Sequence, residues 1–363
     1  NNRSIFNGDE QIIQDKQQIK QENLTIDEKV DQIVESMSQT EKLGQIVMIG
    51  IQGTKVDDDS LYMLNQYHMG GVILFDRNME SPEQVKQLTS DLQAQSNEKV
   101  PLFIGIDEEG GDVVRMAEKL TPAPSQKEIG ATGDIEQAKT WAIKTAKSLK
   151  DMGINVNFAP VADVGSNDKR SYSTDANTVI DFVRAATKGY QQENIIYSLK
   201  HFPGIGKGKV DSHIDSSSID VAKEVLMTED ILPFKTIIDE SDPNDYFILV
   251  SHLKYLALDE EYPASLSSKI MTDLLRNELG YKGIIITDDM EMGAVANHND
   301  FRSIGVNAVK AGADIVLVCH EYEHQQEVYL GLLDAVNNGE ISQERIDESI
   351  KRIIKVKLLH LYQ

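Results

Sequence analysis

The stretch GIIITDD, residues 283–289, is a continuous apolar run that ends in two aspartates. Apolar runs that do not alternate with polar residues are typical of strands buried on both faces, as in parallel sheets. Seven similar runs occur along the chain, with helical patterns between them. Eight β–α units in series predict a single (β/α)₈ barrel of the TIM type, with an open doubly wound sheet as the structural alternative. The other runs are GQIVMIGI (44–51), GGVILF (70–75), PLFIGID (101–107), INVNFAP (154–160), IIYSLKHF (195–202), YFILVSH (246–252) and ADIVLVCH (313–320).

Polar residues cluster at the C-terminal ends of these runs, whereas the starts of the runs carry no comparable cluster. Catalytic residues of barrel enzymes lie at the carboxyl ends of the strands and in the loops that follow. We therefore expect the functional site at this end of the fold. The polar residues concerned are Asp107, Asp163, Lys200, His201, Ser251, His252, Asp288, Asp289 and His320.

Composition argues against two kinds of partner. The 363 residues carry a net charge of −23, which argues against a nucleic-acid partner, because phosphate binding needs a concentrated basic surface. No apolar run approaches the ~18 residues of a membrane-spanning helix. Cys319 is the single cysteine, which rules out an intrachain disulfide. We expect neither a nucleic-acid partner nor a membrane span.

The first 24 residues differ in composition from the rest. They are rich in Gln, Asn, Asp and Lys and predict a flexible polar tether ahead of the barrel domain at residues 25–363. Ser38 and Glu41 form a capping-box pattern, which predicts a helix leading into the first strand. Because the chain begins at Asn1 rather than Met, we expect that a targeting segment preceded it. This favours export to the cell surface, with a lipid anchor upstream of the tether; a cytoplasmic location stays open.

Four ordered motifs fall on the predicted strand ends. They resemble the motifs of β-N-acetylglucosaminidases in glycoside hydrolase family 3, and the resemblance covers roughly residues 36–360. Ile205 stands where that family usually has His, Thr287 where it usually has Ser, and Glu108 where it often has Gln. The motifs are IDEEGG (106–111) with Arg115, NVNFAP (155–160) with Asp163 and RSY (170–172), KHFPGIG (200–206) with DSH (211–213), and TDDMEM (287–292).

The resemblance implies an exo-acting, retaining β-N-acetylglucosaminidase that removes non-reducing terminal β-linked GlcNAc. The implied substrates are peptidoglycan fragments, namely muropeptides with GlcNAc-MurNAc or GlcNAc-anhydroMurNAc. It also implies Asp288 as the nucleophile, His213 oriented by Asp211 as the acid/base, and neither cofactor nor metal ion. The residues implied to bind the sugar hydroxyls are Asp107, Arg115, Arg170, Lys200 and His201.

Elementary chemistry fits these roles. Glycoside hydrolysis needs a group that traps the developing oxocarbenium carbon and a proton donor for the leaving oxygen. Asp288 ends a buried strand, so it is rigidly aimed and partly desolvated. A histidine titrates near neutrality, so His213 can first donate and then accept a proton. Glu108 and Glu109 are alternative acids, or else they tie their loop to the barrel. We expect Asp163 to support the site without contacting substrate.

Other functions stay open. HEYEH (320–324) satisfies the zinc-protease pattern H-E-x-x-H, which requires both histidines on one helix. His320 ends a predicted strand, so the pair straddles a junction and a zinc site is disfavoured. The remaining alternatives are a β-glucosidase or β-xylosidase of the same family, a catalytically weak glycan-binding protein and a metal-dependent barrel hydrolase.

Overall fold

A computed structural model describes residues 3–96, 100–165, 169–208 and 218–362. Eight of its strands lie within the eight predicted apolar runs. Two additional short strands, β6 and β8, were not predicted. The strands are β1 (Val47–Gly50), β2 (Gly71–Leu74), β3 (Phe103–Ile106), β4 (Val156–Asn157), β5 (Tyr197–Phe202), β6 (Ser218–Ile219), β7 (Tyr246–Val250), β8 (Lys254–Tyr255), β9 (Ile284–Thr287) and β10 (Val316–Val318).

Strand pairing is parallel throughout the described sheets. One sheet has the order β10-β1-β2-β3-β4, a second has the order β5-β7-β9, and β6 pairs with β8. Isolated bridges join Val156 to Ile196 and Ile286 to Ile315, at the two edges where the larger sheets adjoin. The parallel α/β architecture is confirmed. The described ladders form two sheets rather than one continuous closed sheet, so the single barrel stays a prediction.

Helices separate the strands along the chain. Ser38 caps α3 as predicted, because its hydroxyl accepts the Glu41 N–H at 3.2 Å and the Glu41 carboxylate accepts the Ser38 N–H at 3.1 Å. A π-helix over Lys269–Glu278 precedes β9. The α-helices are α1 (Arg3–Glu22), α2 (Ile26–Ser36), α3 (Gln39–Gln45), α4 (Asp58–Tyr67), α5 (Pro82–Ala94), α6 (Gln126–Ala131), α7 (Ile135–Asp151), α8 (Ala176–Gln192), α9 (Lys223–Thr228), α10 (Leu232–Glu240), α11 (Gly293–Ala296), α12 (Phe301–Ala311), α13 (Tyr322–Asn337) and α14 (Gln343–His360).

The polar N-terminal segment forms helix α1 instead of an irregular chain, and its residues 10–22 are exposed. Gln, Lys and Glu are good helix formers, which the argument from polar composition did not weigh. The function of this segment as a tether stays a prediction. Within the described ranges, no helix is both long and apolar enough to cross a membrane.

The amino ends of the strands carry buried charges that the strand runs did not reveal. Asp314, just before β10, is fully buried and contacts Arg276 and Arg352 at 2.8 and 2.9 Å. Lys357 of α14 is also fully buried and contacts the carbonyl oxygen of Gly70 at 2.7 Å. These partners lie on helices and loops, so inspection of the strand starts alone missed them.

Candidate active site

A cavity of about 340 Å³ opens at the carboxyl ends of the strands. Its wall brings together six of the eight predicted site residues, which arrive from the segments after β3 and β9, from β5 itself and from the segment after β4. Asp211 and His213, the predicted acid/base pair, lie outside the described residues. The six are Asp107, Arg115, Arg170, Lys200, His201 and Asp288.

Asp288 follows β9 directly and is held by its neighbours on both sides. Its backbone N–H donates to the carbonyl oxygen of Val250 on β7 at 3.0 Å, and its Oδ1 accepts the Asp289 N–H at 2.9 Å. The Nε2 of His252 fixes the same turn by donating to the carbonyl oxygen of Asp289 at 2.7 Å. The backbone of this turn therefore directs the partly buried carboxylate of Asp288 into the cavity.

Electrostatics keep Asp288 ionised. Burial raises the pKa of its carboxyl, but the rings of His201 and His252 and the Asp289 N–H act in the opposite direction, and the net result is a pKa below the ordinary value. At neutral pH the group is a carboxylate, which is the form that can attack an electrophilic carbon.

Lys200 is the centre of the charged wall. Its side chain is 2% exposed, and its Nζ lies 3.0 Å from Asp107 Oδ1 and 2.6 Å from Glu109 Oε2. Burial lowers the pKa of Lys200, but the two carboxylates outweigh it, so the pKa is raised. The ammonium group of Lys200 thus stays charged. Asp107 is partly exposed to the cavity, and its Oδ2 lies 3.9 Å from Arg115 Nη2.

Glu109 binds Arg170 in a bidentate pair, with Nε to Oε1 at 2.9 Å and Nη2 to Oε2 at 2.7 Å. Burial raises the pKa of Glu109, but Lys200 and Arg170 together lower it to about 2. An acid that is ionised at every physiological pH has no proton to donate. The pairing supports the interpretation of Glu109 as a tie between its loop and the neighbouring strands.

Glu108 has a different environment. Burial raises its pKa to about 7, against the N–H of Arg115, which donates to Oε2 at 2.8 Å. Its own backbone N–H donates to Asn157 Oδ1 at 3.0 Å. Glu108 is not part of the cavity wall. It can hold a proton near neutrality, but its contacts fit a structural tie better than proton transfer to substrate.

Asp163 holds His201 through both of its carboxylate oxygens, and its expected role as a support that does not contact substrate stays a prediction. Its Oδ2 lies 2.9 Å from His201 Nδ1, and its Oδ1 accepts the N–H groups of His201 and Ile205 at 3.1 Å each. Asp163 is 2% exposed and absent from the cavity wall. Ile205 lines the cavity, so the position where the resembled family usually has His presents an apolar side chain here.

Arg115 lies beside Phe75, with its guanidinium carbon 5.4 Å from the ring centroid. Its Nε is buried and has no hydrogen-bond partner among the described residues. A buried donor without a partner is costly and is rare in native proteins. Arg115 also lines the cavity, where its side chain is 16% exposed.

Sequence reasoning gave no function to Asp289 and His320, although it placed both at strand ends, and it missed Phe75 and Arg77. Asp289, His320 and Phe75 line the cavity, and Arg77 Nη1 lies 2.8 Å from His320 Nδ1. Their positions after β9, β10 and β2 were the available signal. Arg77 precedes His320 by 243 residues, so no local pattern connects them.

The two histidines of the HEYEH motif contact protein side chains, Arg77 in the case of His320 and Glu291 in the case of His324. His320 lies before α13, and His324 lies in its first turn. The Nδ1 of His324 lies 2.6 Å from Glu291 Oε2, and the Nδ1 of His320 faces Arg77. Within the described part of the chain, no group of three or more His, Cys, Asp or Glu side chains is arranged to hold a metal ion.

Comparison with known proteins identifies one family. The model of the glycosyl hydrolase family 3 N-terminal domain matches residues 37–356. The chain is similar to beta-hexosaminidase A of Pseudoalteromonas piscicida, with 35% identity over 326 residues, 81% of this chain and 54% of that protein. It is similar to the beta-hexosaminidase of Nitrosomonas eutropha, with 30% identity over 318 residues, 84% of this chain and 90% of that protein.

A similar solved structure is the glycoside hydrolase family 3 beta-N-acetylglucosaminidase from Paenibacillus sp. str. FPU-7. It superimposes with a TM-score of 0.86 at 37% sequence identity, and the match covers 89% of this chain and 62% of that one. The chain therefore spans little more than half the length of some relatives and most of the length of others.

Proposed function

The chain belongs to glycoside hydrolase family 3, and from this premise we propose that it is an exo-acting, retaining β-N-acetylglucosaminidase with Asp288 as its nucleophile. The position of Asp288 carries the proposal. An ionised carboxylate, fixed by the backbone at the end of β9, lines a cavity in which Lys200 and Arg170 are held by carboxylates. Such a site can hold a neutral sugar rigidly against one nucleophile.

The proposed reaction has two steps. Asp288 attacks the anomeric carbon and forms a glycosyl ester, while the leaving oxygen takes a proton from His213. Water then attacks the same carbon, gives its proton to His213 and releases Asp288. Two inversions give net retention. The assignments of His213 and of Asp211 as its orienting partner rest on the DSH motif.

The sugar is proposed to be bound by Asp107, Arg115, Arg170, Lys200 and His201. In support, these residues share the wall of one cavity with Asp288. Carboxylates, ammonium and guanidinium groups form charge-assisted hydrogen bonds with hydroxyls. The cavity, at about 340 Å³, is near the lower limit of ~300 Å³ for ligand pockets. It therefore suits one terminal sugar ring rather than an extended chain, which supports exo action.

We further propose that peptidoglycan fragments with terminal GlcNAc, such as GlcNAc-MurNAc and anhydroMurNAc muropeptides, are the natural substrates. The motif resemblance supports this choice. The catalytic domain is proposed to be a single (β/α)₈ barrel at residues 25–363, following a tether at residues 1–24. The bridges from Val156 to Ile196 and from Ile286 to Ile315 support a closed ring of the eight predicted strands.

Sugar specificity tests the proposal. The purified protein is assayed on aryl β-GlcNAc, aryl β-glucoside and aryl β-xyloside, and the anomer of the first-formed product is determined by NMR. We expect turnover of the GlcNAc substrate with retained configuration. Preference for glucoside or xyloside would establish the alternative enzyme of the same family, and binding of GlcNAc without turnover would establish a glycan-binding protein.

A further inference from the structure

The side of the cavity formed after β9 and β10 presents one donor and one acceptor that face each other. His320 Nε2 lies 3.7 Å from Asp289 Oδ2, a distance too long for a direct hydrogen bond. Both residues line the cavity, with side chains that are 45% and 14% exposed respectively. In the described part of the chain, neither of these two atoms has a hydrogen-bond partner.

His320 is held so that Nε2 carries the ring proton. Arg77 Nη1 lies 2.8 Å from His320 Nδ1, and because an arginine only donates, Nδ1 must accept. Arg77 is itself fixed by the carbonyl oxygens of Ile51 and Cys319, at 2.8 and 2.7 Å. Burial and the Arg77 charge both lower the pKa of His320, so the ring stays neutral. The result is an oriented N–H donor.

Asp289 is held by its other oxygen. Its Oδ1 accepts the N–H groups of Glu291 and Cys319 at 3.2 and 3.1 Å, which leaves Oδ2 directed at the cavity. Burial, together with the charges of Glu291 and Asp288, raises the pKa of Asp289 to about 7 against these two N–H groups. A further donor at Oδ2 favours the ionised form, so a hydroxyl bound there lowers this pKa and is accepted as a partner by the carboxylate.

We propose that His320 and Asp289 form a hydroxyl-binding pair, which positions one hydroxyl group of the glycoside bound in the cavity. A hydroxyl accepts one hydrogen bond and donates another, so a single oxygen that lies to one side of the pair, about 2.8 Å from each atom, can accept from Nε2–H and donate to Oδ2. An acetamido group satisfies only one member, because its N–H and C=O point in opposite directions. The inference rests on the proposed function and adds a binding wall after β9 and β10 to the one formed by Asp107 and Lys200.

Asp289→Asn changes the pair with little change in shape. The two backbone N–H groups require an oxygen, so the amide nitrogen must take the position of Oδ2, where a donor then faces the His320 donor. We expect kcat/KM on aryl β-GlcNAc to fall by about 10- to 100-fold, as on loss of one hydrogen bond to a charged group. His320→Leu should also lower kcat/KM on this substrate, and His320→Gln, which keeps a donor, should lower it less. His360→Gln is the control, because His360 contacts Asn194 and Asn244 and is not part of the cavity wall.

Deoxy substrates identify the hydroxyl and separate binding from structural damage. The wild type and the Asp289→Asn, His320→Leu and double variants are assayed on aryl β-GlcNAc and on its 3-, 4- and 6-deoxy analogues. We expect one of the three deoxy penalties to disappear in all three variants, and the double variant to lose little more than the worse single one. If all three penalties persist in the variants, the hydroxyl-binding pair is wrong although the enzyme is active. A wild type without activity on any β-GlcNAc substrate would instead overturn the proposed function.

Discussion

Lys200 and Lys357 are both buried, yet they belong to opposite ends of the strands and to opposite kinds of environment. Lys200, among the carboxyl ends, contacts two carboxylates, and its pKa is raised. Lys357, among the amino ends, contacts the side-chain oxygen of Gln45 and the carbonyl oxygen of Gly70, both at 2.7 Å, and burial lowers its pKa far below the ordinary value. Burial alone therefore does not decide the charge of a lysine; the neighbouring carboxylates do.

The buried carboxylates of the two ends differ in another way. Asp314 at the amino end accepts from Arg276, Arg352, Ser349 and the Ile285 N–H, at 2.7 to 2.9 Å, so both its oxygens are engaged. At the carboxyl ends, Asp289 Oδ2 and Arg115 Nε are left without hydrogen-bond partners in the described residues. In the described residues, these two incompletely hydrogen-bonded groups belong to side chains that line the cavity of about 340 Å³, whereas Asp314 is not part of its wall. That combination distinguishes a site for a ligand from a structural cluster.

The largest expected effect is a loss of kcat, and it comes from comparing a substitution of Asp288 with the same substitution of Asp314. Asp288→Asn should lower kcat on aryl β-GlcNAc by about 10⁴-fold or more, the scale of losing a nucleophile, while the protein stays folded. Asp314→Asn should leave the kcat of folded protein unchanged and lower the free energy of unfolding by about 3–5 kcal/mol, since Arg276 and Arg352 lose their counter-charge. Kinetics and urea unfolding of both variants measure this. An Asp288→Asn variant that keeps a tenth of the wild-type kcat would remove Asp288 from the nucleophile's position.

A second prediction concerns His213, the proposed acid/base of the reaction. If His213 protonates the leaving oxygen, His213→Ala should slow cleavage of a GlcNAc disaccharide more than cleavage of dinitrophenyl β-GlcNAc, whose leaving group needs no proton. The gap in kcat/KM should be about 10²- to 10⁴-fold, the usual contribution of general acid catalysis. Asp211→Asn should show a smaller loss of the same pattern. Equal losses on both substrates would restrict His213 to binding or loop structure and make Glu108 the next candidate acid.

The two lysines should differ in how pH affects stability. Lys357 binds fewer protons folded than unfolded, so its contribution to stability should rise with pH between its folded and unfolded pKa values; Lys357→Met removes that slope. Lys200 has a raised folded pKa, so its contribution is fully present below the unfolded value of about 10.4 and is lost only as pH rises through the folded pKa. Lys200→Met should therefore cost the same stability across neutral pH. Urea unfolding over a pH series checks both, and equal slopes for the two variants would contradict the comparison.

The smallest expected effect is that of chelation. The glycosidase reaction proposed here uses no metal ion, so exhaustive treatment with a chelator should leave kcat on aryl β-GlcNAc unchanged. Loss of activity that added zinc restores would instead favour a metal-dependent hydrolase, with His320 and His324 as the first ligands to test.

Sequence patterns located the eight strands because each run is apolar along its whole length, as burial on both faces requires. They located Asp107, Lys200 and Asp288 because these residues stand at run ends. The same reasoning missed the link from Arg77 to His320, because these residues are 243 positions apart in the sequence. It missed the Asp314 cluster because Arg352 lies on a helix, and the apolar periodicity of a helix carries no information about a buried arginine. It also missed β6 and β8, which have two residues each and leave no periodic pattern.

Covalent trapping tests the central assignment most directly. The wild type is incubated with a slow fluorinated β-GlcNAc substrate, and the intact protein and its peptides are analysed by mass spectrometry. We predict one attached sugar, located on Asp288 and absent from the Asp288→Asn variant. A sugar attached to another residue, or turnover of the trapping substrate without any covalent product, would contradict Asp288 as the nucleophile.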